Sequence, residues 1–285
     1  MWKLPLPDNG PAIAELVTAV TPARGAPVIE LTEDEKAAFL ALYQLYDAHR
    51  GEPAAGLEAN NISAVTAQAV HDGYDATQIG SRLAHLRTRL QAGILRCPFC
   101  GFAPVTSLDH HLPRSTYRAL AVYARNLIPA CGTCNQKKGA TVGGQDEHQR
   151  FINAYFADLP AERFFVARCA MVEEALVTQF EVVQTPGLSD SIFRRLTYQF
   201  QRLELNTRLK GEVTDFLVSL ETGLESAYET PEGGLAVSQF LARSATSQAR
   251  VNGLNHWKTA LLHGLTECVE FCDGGFRLGQ PNPGA

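Results

Sequence analysis

Two CxxC pairs constrain this chain more than anything else in it. Cys97-Pro98-Phe99-Cys100 and Cys131-Gly132-Thr133-Cys134 stand thirty residues apart. Two residues between cysteines form a tight turn that aims both sulfurs at one ion, so two such pairs supply the four thiolates of a tetrahedral zinc site. The alternative is four buried free thiols. A four-sulfur site is closed, which makes zinc a structural ion and places any chemistry elsewhere. The enclosed residues are too few for a core of their own, so zinc is expected to hold them folded.

The rest of the composition is that of an ordinary globular chain. With 285 residues, 45% hydrophobic and 19% charged, it can bury a core. No apolar run approaches the roughly twenty residues of a membrane span, and no internal period is present. The N-terminus, Met1-Trp2-Lys3-Leu4-Pro5-Leu6-Pro7-Asp8, has two prolines and an acid where a signal peptide needs its apolar stretch. The expectation is a soluble, cytoplasmic protein with no membrane partner, whose cysteines are metal ligands or free thiols rather than a disulfide framework.

Net charge is −5, but its distribution is uneven. From Ser81 to Ala140 nine basic residues (Arg82, Arg87, Arg89, Arg96, Arg114, Arg118, Arg125, Lys137, Lys138) face one acid, Asp109, a local +8 that leaves −13 for the remainder. With four thiolates and one zinc ion the segment stays near +6, so a polyanion would dock there.

Periodicity predicts a mainly helical chain with a few strands. Thr32-Glu33-Asp34-Glu35 has the capping-box form, followed by an apolar stripe at Phe39, Leu42, Tyr43 and Tyr46 and a stop at Gly51. Further helices are expected over about 62–70 and 76–91, the latter with Ile79, Leu83, Leu86 and Leu90 on one face. Its Arg82, Arg87 and Arg89 are either a solvated face or a phosphate-facing flank. Short strands and turns follow from Cys97 to Lys138, then a glycine break at Gly143-Gly144 and a helix over about 146–157. Strands are expected near 163–170 and 176–183, helices near 190–203, 207–220, 235–249 and 255–269, and a loose tail from Gly279 to Ala285. This divides the chain into a helical region 1–94, a central module 95–142 and a mainly helical region 143–285 with two short strands.

Inside the cysteine frame lie Leu108-Asp109-His110-His111-Leu112-Pro113, Asn126-Leu127-Ile128-Pro129 and Cys134-Asn135-Gln136-Lys137-Lys138-Gly139. In this order the segment resembles the HNH endonuclease family, with its DHxxP, NL(I/V)P and CNxxKG elements, in the subtype whose two CxxC pairs bracket the catalytic hairpin. The match covers about 43 residues, Cys97 to Gly139, roughly one-seventh of the chain. More loosely, the flanks resemble bacterial defence nucleases that work beside a partner ATPase. The resemblance implies an α+β, mainly α fold with a central zinc-stapled ββα-metal module. It also implies a metal-dependent endonuclease acting on DNA, here a nuclease effector in anti-phage defence with a partner ATPase or other defence protein. Carried over, Asp109 ends the first strand as a metal ligand, His110 is the general base, Asn126 braces the hairpin loop, and Asn135 is the second metal ligand.

The residue types suit that chemistry on their own terms. Phosphodiester hydrolysis needs an activated water, and histidine has the pKa to take its proton near neutrality. Asp and Asn are hard oxygen donors suited to a catalytic magnesium or manganese ion. Of His110 and His111 only one can face the substrate from a strand, and the spacing to Pro113 favours His110. Against the family's usual pattern, the connection from Ser115 to Arg125 lacks a glycine-rich turn. Its Tyr117 and Tyr123, with Arg114, Arg118 and Arg125, either grip and stack on nucleic acid or are two packed tyrosines in a solvated charged loop. Lys137 and Lys138 are further candidate phosphate contacts. Cys268, Cys272 and His263 could bind metal, but buried thiols are the simpler reading, as for Cys169. His49, His71, His85, His148 and His256 stand alone. A non-catalytic zinc module that binds nucleic acid, and a subunit of a larger complex whose acidic flanks face a protein, are the competing functions.

Overall fold

The computed structural model describes residues 3–21, 29–59, 61–141 and 146–278, in two compact units, Lys3–Asp158 and Leu159–Ala285. The expected glycine break at Gly143-Gly144 and the tail from Gly279 lie outside the described residues. The first unit takes in both the helical region ending near residue 94 and the cysteine-framed segment, and runs on to Asp158.

In the first unit, α1 (Ala12–Val20) buries Leu16, Ala19 and Val20 at helical spacing. Helix α2 (Glu33–Ala48) opens on the expected capping box: the Thr32 hydroxyl accepts from the Glu35 amide at 3.2 Å, and the Glu35 carboxylate accepts from the Thr32 amide at 3.0 Å. Its buried stripe is Phe39, Leu42, Tyr43 and Tyr46. Helix α3 (Ala64–Gly73) is capped by Ser63, whose hydroxyl accepts from the Thr66 amide at 3.0 Å.

The single helix expected over 76–91 is two pieces, a 3-10 turn at Tyr74–Thr77 and α4 (Ala84–Gln91). Gly80, at φ 81°, breaks the helical path, the Leu83 amide instead reaches back to the Ala76 carbonyl at 2.8 Å, and Ile79, expected on the buried face, is 92% exposed.

Strands β1 (Ser107–His110) and β2 (Leu127–Ala130) pair antiparallel in the register Ser107↔Ala130 to His110↔Leu127, and α5 (Gly132–Lys138) follows at once. The ββα order expected of the module is therefore present. The connection between the strands packs inward: Leu112, Tyr117, Leu120 and Tyr123 share one apolar cluster with Leu16, Phe39, Tyr43, Tyr46, Val70 and Leu86. The hairpin thus borrows its core from α1 to α4.

The helix expected over 146–157 is absent. A 3-10 turn at Glu147–Gln149 leads into an irregular segment in which Phe151, Ile152, Asn153, Ala154 and Tyr155 are all buried. Five successive buried residues cannot share one helix face. Asn153 turns the chain through its own side chain, accepting from the Tyr155 amide at 3.0 Å.

The second unit pairs β3 (Phe165–Val172) with β4 (Ala175–Val182), both close to their expected positions, and adds α6 (Asp190–Arg202), α7 (Leu205–Tyr228), α8 (Gly234–Asn252), α9 (Trp257–Thr266) and α10 (Val269–Cys272). Helix α9 lies directly on β3. A Cβ at Gly264 would come within 2.4 Å of the Ala167 carbonyl oxygen, so only glycine permits this approach. The described chain is mainly helical with two small two-stranded sheets, and none of its helices is long and apolar enough to cross a membrane.

Candidate functional site

The four cysteines converge. Cys97, Cys100, Cys131 and Cys134 are buried, and their sulfurs all lie within 4.8 Å of one another, Cys100 and Cys131 at 4.0 Å. Tetrahedral zinc with sulfur at about 2.3 Å needs sulfur–sulfur edges of about 3.8 Å, so the donor set fits. The first pair sits in a turn closed by the Gly101 amide on the Cys97 carbonyl at 2.8 Å, with Gly101 at φ 83°. In the second, Cys131 caps α5, its sulfur accepting from the Cys134 amide at 3.4 Å. The four thiols share hydrogen bonds that hold Cys131 below its ordinary value and Cys97 and Cys134 above theirs. This buried cluster could bind zinc. Among the described residues no other group of three or more His, Cys, Asp or Glu could hold an ion, so Cys268, Cys272 and His263 form no second centre.

His110 ends β1, and its Nε2 lies 2.9 Å from the Ala121 carbonyl oxygen. A carbonyl only accepts, so Nε2 carries the proton and Nδ1 the lone pair. The ring packs on Tyr74 with centroids 4.4 Å apart, and the Tyr74 hydroxyl is fixed by donation to the Leu108 carbonyl at 3.0 Å. Burial first, then the charges of Arg114, Lys138 and His71, bring His110 down to about 3 against the raising effect of the Ala121 hydrogen bond. Arg114 lies over the same tyrosine ring, its guanidinium carbon 4.9 Å from the centroid, and pairs with Asp75 at 3.5 Å. His71, one of the histidines with no expected role, belongs to this group through α3.

Asn126 is fully buried. Its Oδ1 accepts from the Leu112 amide at 2.8 Å and the Tyr46 hydroxyl at 3.2 Å, while Nδ2 donates to the Leu112 and Leu120 carbonyls at 3.0 and 3.2 Å. Both ends of the long connection are thereby tied to one amide. His111 is 5% exposed and lines a small cleft with Pro53, Thr141 and Phe151.

Asp109 is in different company. Residues next to each other in a strand project to opposite faces, and Asp109 turns toward α5, away from the face of His110. There Lys138 Nζ stands 3.1 Å from both carboxylate oxygens and donates to the His110 carbonyl at 2.6 Å. Asp109 is 1% exposed and Lys138 0%. Burial pushes the Asp109 carboxyl up to about 6 against the lowering effect of the Lys138 charge. Asn135 spends its Nδ2 on Ser107 Oγ at 3.4 Å. The expected catalytic magnesium or manganese ion would meet an ammonium already 3.1 Å from both oxygens of the one carboxylate offered, of which Oδ2 has no hydrogen-bond partner among the described residues.

Much of the basic segment is engaged by protein partners. Arg82 donates to the Thr18 and Ala19 carbonyls at the end of α1, at 2.8 and 2.7 Å, and Arg87 is buried against the Thr77 carbonyl at 3.0 Å. Arg89 meets the buried Glu15 at 2.6 Å, so Arg87 and Arg89 are held by protein partners, while Arg82 keeps its carbonyl contacts on the exposed surface. Arg125, expected on nucleic acid, is bound to Asp47 and to the Pro7 carbonyl, and Lys138 is buried on Asp109. Tyr123 stacks on Tyr43 at 4.0 Å and donates to Asp47 at 2.9 Å, and Tyr117 is buried, so the packed reading holds for both tyrosines. Arg96 and Arg118 are exposed, Arg114 and Lys137 partly so.

Tyr46, Tyr74 and His71 were not singled out by sequence reasoning. Tyr46 stood only as a core residue, and nothing in its spacing signals that its hydroxyl orients Asn126. Comparison with protein-family models, curated proteins and solved structures returns no match.

Proposed function

We propose that the chain is an endonuclease of HNH type that hydrolyses phosphodiester bonds in DNA, with His110 as general base and zinc as a structural ion on the four cysteines. The observation that supports it best is the hydrogen bond from His110 Nε2 to the Ala121 carbonyl, which leaves Nδ1 with its lone pair on a ring fixed by Tyr74. In this reading Nδ1 takes a proton from water, the resulting hydroxide forms a bond to phosphorus, and the bond to the departing sugar oxygen breaks as that oxygen takes up a proton from a second water, the imidazolium then returning its own proton to solvent. Desolvation keeps the imidazole neutral in the free protein. The negative charge of an arriving phosphate raises its basicity, and Arg114 beside it is placed to meet that phosphate. A role as nuclease effector in anti-phage defence beside a partner ATPase belongs to the same proposal and rests on the resemblance of the flanks.

A second reading, a zinc module that binds nucleic acid without cutting it, is favoured by the Asp109–Lys138 pair, which ties up a carboxylate the nuclease reading would use. Supercoiled plasmid separates the two. The zinc-loaded protein should nick it, and His110→Ala should be slower by on the order of 10² to 10⁴ while still retarding DNA in a gel. No nicking by either protein, with binding intact, establishes the second reading; equal nicking by both removes His110 from the mechanism.

A further inference from the structure

The cation beside Asp109 is one the chain carries itself. Helix α5 begins on Cys131, and Lys138 stands four residues after Cys134, one turn along the same buried face. The cysteine cluster therefore sets where the last turn of α5 falls, and that turn brings an ammonium within 3.1 Å of both oxygens of Asp109, hydrogen-bonded to Oδ1 and to the His110 carbonyl. A divalent ion binds carboxylate oxygens at about 2.0 to 2.6 Å and needs several further oxygen donors or waters around it. Lys138 Nζ lies 3.1 Å from both carboxylate oxygens, although Oδ2 has no hydrogen-bond partner among the described residues, and two cations on one desolvated carboxylate would repel strongly.

We infer that Lys138 is the resident cation of this site in place of a divalent metal, so that the protein binds neither magnesium nor manganese at Asp109. It goes beyond the nuclease reading and stands on the Asp109–Lys138 geometry whether or not the chain cuts DNA. It is tested by ion binding rather than by cleavage, so the two can fail separately. Manganese serves as the probe, since free and bound ions differ in electron paramagnetic resonance and a hard ion does not displace zinc from four thiolates. The zinc-loaded full chain and Asp109→Asn should both leave millimolar manganese as free as buffer does. Lys138→Ala opens the space and leaves the carboxylate unpaired. It should melt lower than the wild type, recover thermal stability when manganese is added, and bind one ion per chain that the added Asp109→Asn change abolishes. Wild-type binding of one manganese ion that Asp109→Asn removes overturns the inference, as does a folded Lys138→Ala that binds none. Should Lys138→Ala not fold, the comparison of wild type with Asp109→Asn decides alone.

Discussion

His110 is held by one hydrogen bond to a backbone carbonyl and one aromatic neighbour, and its burial outweighs the pull of that carbonyl toward the protonated ring. Its pKa, driven down to about 3 chiefly by burial, has a consequence for stability. Between that value and the ordinary 6.5 the unfolded chain binds a proton that the folded chain refuses, so stability present in full above pH 6.5 is lost as pH falls toward 3. His110→Gln keeps a donor for Ala121 and does not titrate. From pH 7.5 to 5 the wild type should therefore lose more unfolding free energy in urea than His110→Gln, and imidazole NMR should show a proton fixed on Nε2 with no titration across that range. Equal losses by both proteins would mean that His110 is solvated. The arrangement at this scale was partly readable in advance. The alternation of side chains along a strand, which separates His110 from His111, equally separates Asp109 from His110, and the four-residue step from Cys134 to Lys138 puts that lysine on the inner face of α5. What no spacing reveals is which carboxylate a buried lysine meets, since Asp109 lies 29 residues away and arrives only through the β1–β2 register.

Elements with a local chemical signal were the legible ones. The Thr32–Glu35 box and the 3.6-residue stripe placed α2, and the strand-like runs near 163–170 and 176–183 placed β3 and β4. The segment 146–157 misled because its apolar residues are buried on every side by other parts of the first unit, a tertiary effect that mimics helical hydrophobicity. The turn joining β3 to β4 gave almost no signal either. Glu173 and Glu174 both have positive φ, 47° and 63°, in a two-residue connection that favours Asn-Gly. Two exposed glutamates there combine left-handed backbone with adjacent like charges. Replacing Glu173-Glu174 by Asn-Gly should stabilise the second unit by roughly 1 kcal/mol, read as a rise of a few degrees in its melting temperature. An unchanged or lower melting temperature would show that the glutamates have native partners that outweigh the turn.

At the scale of the whole chain, two compact units with separate hydrophobic cores imply two cooperative blocks of stability, only one of which contains the cysteine cluster. Thirty residues between the CxxC pairs looked too few to fold without zinc, yet the hairpin shares its apolar side chains with α1 to α4. Zinc should therefore be most important where that core does not reach, at the Cys97–Cys100 turn and the start of α5, and least important in the second unit. The protein as isolated should carry one zinc per chain by elemental analysis. Stripping it with a strong chelator, or changing Cys131 to Ala, should remove amide-exchange protection from the turn at residues 97–103 and from α5, because four sulfurs without an ion no longer fix those backbones. Protection in β3, β4 and α9 should stay as it was, since no ligand comes from the second unit. The loss should spread next to β1 and β2, because Lys138 leaves with α5 and strands the Asp109 carboxylate in an apolar surrounding, a change that costs about 3 to 5 kcal/mol where a buried pair is broken. Unchanged protection in α5 after zinc is gone would mean that the apolar core alone holds the hairpin and helix, and that the four thiols are not what positions Lys138.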